Sequence, residues 1–339
     1  MNKFYFLEDF KGKVFWKAML DYGHSSFLCA VLERRKPKDI RMIFSEVKDQ
    51  VCMLMFDGYG SNLIVKLAKV CDEQQMNKLV SSVTANVNLL KALCLDPQGS
   101  ESMKKFLPCL RTPEQISRMI SVFSSLTVPL LKDGFGSGVI SYCFHVFPTE
   151  ETQPIDDVIT DNFLKIATNE NGSFLLKVFC SKGFLLECRP RILSEIISNA
   201  HHLSHDRFGS RVLVFVIASS EMRDVVGARI VARLTGAFAS LSINRYASAV
   251  VLELMKQYKE EYIPQIVNEI ISSPDFSRVL RDPYGKCVLE YAKQYSTETI
   301  CEILNHQISL HSDHMHSRHR HGKKVLPKRK RQRNDHREI

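Results

Sequence analysis

Asp57-Gly58-Tyr59-Gly60-Ser61 is the clearest copy of a phrase that returns along the chain, and Asp282-Pro283-Tyr284-Gly285-Lys286 is its last. Its small residue falls at Gly23, Gly60, Gly99, Gly136, Gly172, Gly209, Ala247 and Gly285, at intervals of 36 to 39 residues. A fixed period in this range marks stacked repeats. Three residues before the marker stand Asp57, Asp96, Asp133, Asn169, Asp206, Asn244 and Asp282, whereas the first copy has Leu20. One residue before it are the aromatics Tyr22, Tyr59, Phe135, Phe208, Tyr246 and Tyr284. Four and seven residues after it every copy is apolar or Cys, from Phe27 and Ala30 to Leu289 and Ala292. That spacing lines one face of a helix. An Asp or Asn just upstream reads as its cap, accepting from free N–H groups of the first turn. Pro97 and Pro283 suit the first helical position, where a missing N–H costs little. Each phrase announces a helix.

A second helix follows each marker helix, near Ile40–Val47 and Met76–Val83 in the first two units. A short one leads into the next marker, as at Asn88–Leu95 and Leu126–Leu131, and Phe147–Pro154 reads as the longest loop. No alternating strand pattern is sustained, so the expected fold is all-α, with about three helices per repeat stacked into a curved solenoid. Residues 1–19 are expected to form a capping helix that covers the end of the stack with Phe10, Val14, Phe15 and Met19. Eight repeats then fill residues 20–310. From His311 the apolar period stops. Histidines 311, 314, 316, 319 and 321 precede Lys323-Lys324 and Lys328-Arg329-Lys330-Arg331, and 311–339 is expected to be a disordered basic tail.

The net charge of +9 sits mostly in that tail. Residues 311–339 hold ten Lys or Arg and three Asp or Glu, a net of +7, leaving +2 for residues 1–310. An apolar content of 45% is enough for one continuous core. The ten cysteines form no CxxC pair, and several, such as Cys143 and Cys180, fall on the apolar stripe, so they read as reduced core residues. Arg211–Ile217 is too short to span a membrane, and Glu8 and Asp9 stand where a signal peptide would be apolar. A soluble intracellular protein is expected. His201, His202 and His205 read as solvated, not as a metal site, and no cofactor is expected. No Gly-rich phosphate loop and no nucleophile with a spaced base is present, so the chain does not read as an enzyme.

The phrase Asp-x-aromatic-Gly-Ser, eight times at this spacing over about residues 10–310, resembles the Pumilio (PUF) family of RNA-binding proteins. The resemblance implies a curved right-handed superhelix of eight three-helix repeats, with the marker helices on its concave face. Each presents three side chains to one RNA base. The stretch begins one residue after the marker: its first and fifth residues touch the base edge and its second stacks between bases. The implied base-edge residues are Ser61, Ser100, Ser137, Ser173, Ser210, Ser248 and Glu290. The implied stackers are Asn62, Phe174 and Arg211. In the first copy the three positions are His24, Ser25 and Leu28. The chain departs from the family at the fifth position, where Leu28, Val65, Val214 and Leu252 have no donor or acceptor and only Glu290 carries the usual Glu or Gln. Lys104, Lys177 and Lys286 suit phosphate contacts. The serines have an alternative role as hydrogen bonders at the helix start.

The resemblance implies a monomeric, cytoplasmic regulator of mRNA translation and stability. It would bind single-stranded RNA in 3′ UTRs and recruit protein corepressors on its convex face, with no membrane partner. Two other readings stay open. One is a nuclear or nucleolar protein that holds structured RNA with little sequence preference and is imported through Lys328–Arg331. The other is a protein-interaction scaffold that has lost RNA.

Overall fold

The computed structural model describes residues 5–181, 189–219 and 223–321, and among them there are helices and no strands. The chain divides into two compact units, Met1–Arg233 and Leu234–Ile339. The first holds six marker helices: Tyr22–Glu33, Gly58–Val70, Pro97–Phe106, Gly134–Val146, Glu170–Cys180 and Gly209–Ala218. Each packs on the next. The second holds Ala247–Gln257 and Pro283–Tyr295, which also pack together. A short helix precedes each marker helix, as Val51–Met55 does in the second repeat, and a longer one follows, as Glu73–Thr84 does there. This is the all-α, three-helix repeat expected from the sequence.

Two features of the phrase make the joint between short helix and marker helix. The capping side chain turns inward on the first turn: Asp57 Oδ1 accepts from the N–H groups of Tyr59 at 2.9 Å and Gly60 at 2.7 Å. Asp133, Asn169, Asp206, Asn244 and Asp282 do the same in their repeats, and Asp96 accepts from Gly99. The marker glycine then lies against the backbone of the short helix. A Cβ on Gly60 would stand 2.7 Å from the Leu54 carbonyl oxygen, and one on Gly136 would stand 2.7 Å from that of Leu130. At Gly99, Gly172 and Gly285 the carbonyl of the residue six places earlier is closer still. At these positions a Cβ would crowd the short-helix backbone, which is why glycine suits them. The fully buried apolar residues Leu63, Ile64 and Leu67 then form the stripe of that helix.

Several boundaries differ from the sequence expectation. The opening is not one capping helix over 1–19. It is a short 3-10 turn, Leu7–Phe10, followed by Val14–Leu20. The latter packs on the first marker helix and serves as the short helix of the first repeat. Phe10 and Val14 are buried as expected, but Phe15 and Met19 are only half-buried. Leu126–Leu131 is not separate: it continues one helix, Pro113–Leu131, with Pro129 inside it. Most of the expected loop at Phe147–Pro154 is helical, because Thr149–Asp161 starts right after Pro148. Glu150 and Glu151 occupy its first turn, where the helix dipole favours acids. The last helix, Glu298–His321, runs eleven residues into the segment expected to be disordered. His311 anchors that extension, its ring set edge-on against Phe276 at 5.0 Å. The rest of the expected tail, including Lys323-Lys324 and Lys328–Arg331, lies outside the described residues.

Third helices also tie adjacent repeats. Arg191 pairs with the buried Asp156 at 2.6 Å and with Asp157 at 2.9 Å. Burial pushes the Asp156 carboxyl above its ordinary range against the pull of Arg191, whereas hydrogen bonds from Gln153 and Arg191 hold Asp157 below it.

The backbone contact at the marker makes a paired prediction. Gly99→Ala should lower the urea midpoint by the equivalent of about 1–3 kcal/mol, as overpacking does. Gly138→Ala, whose new Cβ meets nothing within 4 Å, should raise stability by roughly 0.5–1 kcal/mol through helix propensity. Equal effects at the two glycines would show that the close contact does not set the packing.

Candidate nucleic-acid interface

The first repeat has a different register from the one read off its glycine. Asp21, not Leu20, caps Tyr22–Glu33 and accepts from His24 N–H at 2.9 Å. The position three residues after the cap is a glycine or alanine in the other seven repeats and is His24 here. His24 Nδ1 returns to Asp21 Oδ2 at 2.8 Å, and the His24 N–H heads the hydrogen bonds that keep the Asp21 carboxyl below its usual range. A Cβ on Gly23 would meet side chains first, Asp21 Oδ1 at 3.2 Å and the Tyr5 hydroxyl at 3.3 Å, and not the backbone of the short helix. The burial pattern agrees, because Leu28 and Val31 are in the core whereas Ala30 is exposed. The three positions of the first repeat are therefore Ser25, Ser26 and Cys29, in place of His24, Ser25 and Leu28. The cap three residues before His24 is the sequence signal for this register.

With that correction the first position is serine in seven repeats: Ser25, Ser61, Ser100, Ser137, Ser173, Ser210 and Ser248. All are buried, with 9% exposure at most. Their hydroxyls donate to backbone. Ser61, Ser100 and Ser137 reach the carbonyl three residues earlier at 3.0 Å, Ser173 at 2.8 Å, Ser210 at 3.3 Å and Ser248 at 3.5 Å. Ser25 crosses to the Tyr59 carbonyl of the next repeat at 2.8 Å. Gln98 links Ser61 to Ser102 at 3.3 Å, and Asn171 donates to the Lys132 carbonyl at 3.0 Å. Most of the serine row thus closes the first turn of its own helix, and Ser25 and Ser61 also link adjacent repeats. Each of these hydroxyls lies within hydrogen-bond reach of a carbonyl of the fold.

What faces outward is the second position, with the fifth half-buried beside it. Asn62, Glu101, Phe174 and Arg211 are exposed in the first unit, and Phe174 keeps 63% of its surface. Lys177 Nζ stands 5.8 Å from the Phe174 ring, and the Arg211 guanidinium stands 5.9 Å from Phe208. Two flat stacking groups therefore sit in the same register on adjacent marker helices, each held by a cation–π contact. The third repeat differs: Lys104, expected to meet phosphate, is paired with Glu101. The fourth presents only Gly138 and Ser141. In the second unit Ala249 is exposed and Leu252 half-buried in one repeat, and Lys286, Cys287 and Glu290 are exposed in the other.

Most of the thiols are withdrawn from this face, Cys287 at the second position of the last repeat being exposed. Burial pushes Cys52 up to about 11 and Cys71 up to about 12, and it raises Cys94 and Cys143 further. Cys29 is raised too, despite Lys66 nearby. His201, His202, His205 and Asp206 line one cavity, but the Asp206 carboxylate is engaged as a helix cap. Among the described residues no group of three His, Cys, Asp or Glu side chains is placed to hold a metal ion.

The marker helices thus present an exposed row of stacking and charged side chains over a buried layer of serines. The family model for the Pumilio-family RNA-binding repeat matches residues 199–213, the stretch that carries Asp206, Gly209 and Arg211. Pumilio homolog 8 of Arabidopsis thaliana is 30% identical over 283 residues, 83% of this chain and 54% of the relative. Pumilio homolog 12 of the same plant is 29% identical over 289 residues, 85% of this chain and 48% of the relative. The chain thus spans about half the length of the curated relatives it matches. The Puf4 RNA-binding domain, solved on a 3′ UTR recognition sequence, superposes with a TM-score of 0.69 at 24% identity over 88% of this chain and 93% of that one. The domain of S. pombe Puf1 in complex with RNA gives 0.74 at 16% identity over 88% and 81%. These likenesses show the same fold. The matched repeat, the Pumilio relatives and the shared fold together support a divergent Pumilio-family protein.

The register of the first repeat can be checked directly. Leu28→Ala should cost about 2–5 kcal/mol, as core truncations do. Cys29→Ala, at a half-buried site, should cost well under half as much in the same urea titration. The reverse order would restore the register set by Gly23.

Proposed function

We propose that this chain binds single-stranded RNA along the exposed second and fifth positions of its marker helices. The observation that carries the reading is the Phe174–Arg211 pair: two exposed stackers, one on each of two adjacent repeats, with Lys177 beside them. A base lodged there would be stacked on both faces, and base–aromatic stacking contributes about 1–3 kcal/mol per base. Asn62 extends the row in the second repeat.

The pattern supports a preference that is narrower than one base per repeat. Val65, Val214 and Leu252 offer no donor or acceptor to a base edge, and the third and fourth repeats add a neutralised Glu101–Lys104 pair and a bare Gly138. Glu290 is the fifth-position carboxylate able to accept from a base. Selectivity should concentrate at the bases that meet Asn62, Phe174, Arg211 and Glu290. By family likeness, this is a role in regulating translation or stability of messages through 3′ UTR sites, in the cytoplasm, as a monomer that recruits corepressors. The scaffold reading is less well supported, because Leu28 belongs to the core and the remaining apolar fifth positions are half-buried.

Selection from a random single-stranded RNA pool tests the reading, with Phe174→Ala/Arg211→Ala beside the unaltered chain. A motif should be enriched by the unaltered chain, and the double variant should bind it more weakly by about 1–3 kcal/mol per lost stack. Equal affinity of the two proteins would mean that RNA does not use this face.

A further inference from the structure

A cavity of about 430 Å³ opens between the C-terminal ends of the second and third marker helices. Val65, Lys69, Lys105, Pro108, Cys109 and Arg111 line it. Three of the six are cations and none is a carboxylate. The other two lysines on these helices are neutralised: Lys66 pairs with Glu33 at 2.5 Å, and Lys104 pairs with Glu101. Among the described residues Lys69, Lys105 and Arg111 have no such partner.

The local charge is not cancelled by the helix end. Carbonyls at the C-terminus of Gly58–Val70 would repel an anion, but Arg111 already covers them, donating to Ala68 and Cys71 at 2.8 Å and to Lys69 at 3.0 Å. That contact fixes the guanidinium in the cavity wall. The Cys109 thiol lies in the field of both Lys69 and Arg111. Val65 and Pro108 supply an apolar wall beside the charges. Val65 is also the fifth position of the second repeat, so the cavity opens directly beside the exposed row.

We propose that this cavity is a phosphate-binding site, which takes a backbone phosphate of the same RNA strand where it passes from the second repeat to the third. The inference rests on the RNA-binding reading above. It assigns a new task to Lys69 and Lys105: they hold the strand where the third repeat gives no stacking group and Lys104 is engaged. Arg111 is a positioning residue, since it closes the helix end and directs its remaining charge inward. The apolar wall accommodates the ribose attached to that phosphate.

The test uses the full chain and Lys69→Gln/Lys105→Gln, both exposed sites whose substitution leaves the Arg111 contact in place. Affinity for the selected RNA is measured by fluorescence anisotropy across a KCl series. The double variant should bind more weakly, with the same sequence preference. Its plot of log affinity against log salt should be flatter by about 0.7, the value for one phosphate contact on a single strand. An unchanged affinity and slope, with the unaltered chain binding normally, overturns the site and leaves the RNA-binding reading standing. If the unaltered chain binds no RNA, both fall. A second arm adds inorganic phosphate and follows thermal unfolding. If phosphate protects the unaltered chain but not the variant, while the RNA salt slopes coincide, the cavity serves a free anion and the assignment to RNA is wrong.

Discussion

Backbone contact between the marker glycine and the carbonyl six residues earlier is the constraint that shapes the second to sixth repeats and the eighth. With no Cβ, the marker helix starts against the short helix before it, and the Asp or Asn cap satisfies the first-turn N–H groups that this crossing would otherwise leave open. The cap contributes about 1 kcal/mol per helix by typical measure, but its larger role is geometric. Once the cap and the glycine are fixed, the rotation of the marker helix is fixed. Residues four and seven positions later fall into the core, the serine faces the neighbouring repeat, and the second position points to solvent. Ala247 accommodates the same joint with one extra methyl, buried in the second unit.

Most of this was legible in the sequence because it repeats. A pattern seen once is weak, whereas the same pattern at seven intervals of 36 to 39 residues specifies helix start, core face and fold together. The first repeat shows where repetition misleads. Gly23 looks like the marker, yet the physical determinant is the cap, and Asp21 sets a frame one residue later. In that frame Leu28, apparently a base-reading position without chemistry, becomes an ordinary core leucine. The expected loop at Phe147–Pro154 failed for a related reason: two prolines suggested a break, although Pro148 lies just outside the helix and the acids after it favour a helix start. The extension of the last helix to His321 was not legible, because its anchor is a tertiary contact between His311 and Phe276 that no local period announces.

Burial also separates scaffold from surface in a way composition cannot. The serines that resemble base-reading residues are buried, and their hydroxyls close hydrogen bonds within and, at Ser25, between repeats. They maintain the spacing at which the second positions are presented. Variation is concentrated at those second positions: Ser26, Asn62, Glu101, Gly138, Phe174, Arg211, Ala249 and Cys287 have almost nothing in common beyond facing outward. A surface of this kind cannot treat every base alike. On the proposed reading, its strongest contacts with a strand come from the fifth and sixth repeats, where an aromatic ring and a guanidinium stand in the same register.

Charge adds a second limit. Residues 1–310 carry a net of only +2, so diffuse attraction to a polyanion is weak and the sites of unbalanced positive charge matter individually. Lys66 and Lys104 are cancelled by their own neighbours. Lys177 is set beside Phe174, where one nucleotide can satisfy both. Lys69, Lys105 and Arg111 converge on one cavity with no carboxylate in its wall. On the proposed reading, a strand would gain stacking at the fifth and sixth repeats, lose it at the third and fourth, and benefit from another hold on the far side of the gap. The basic cavity between the second and third repeats is placed to provide it, by a contact that reads the backbone and leaves base selection to the stacking repeats.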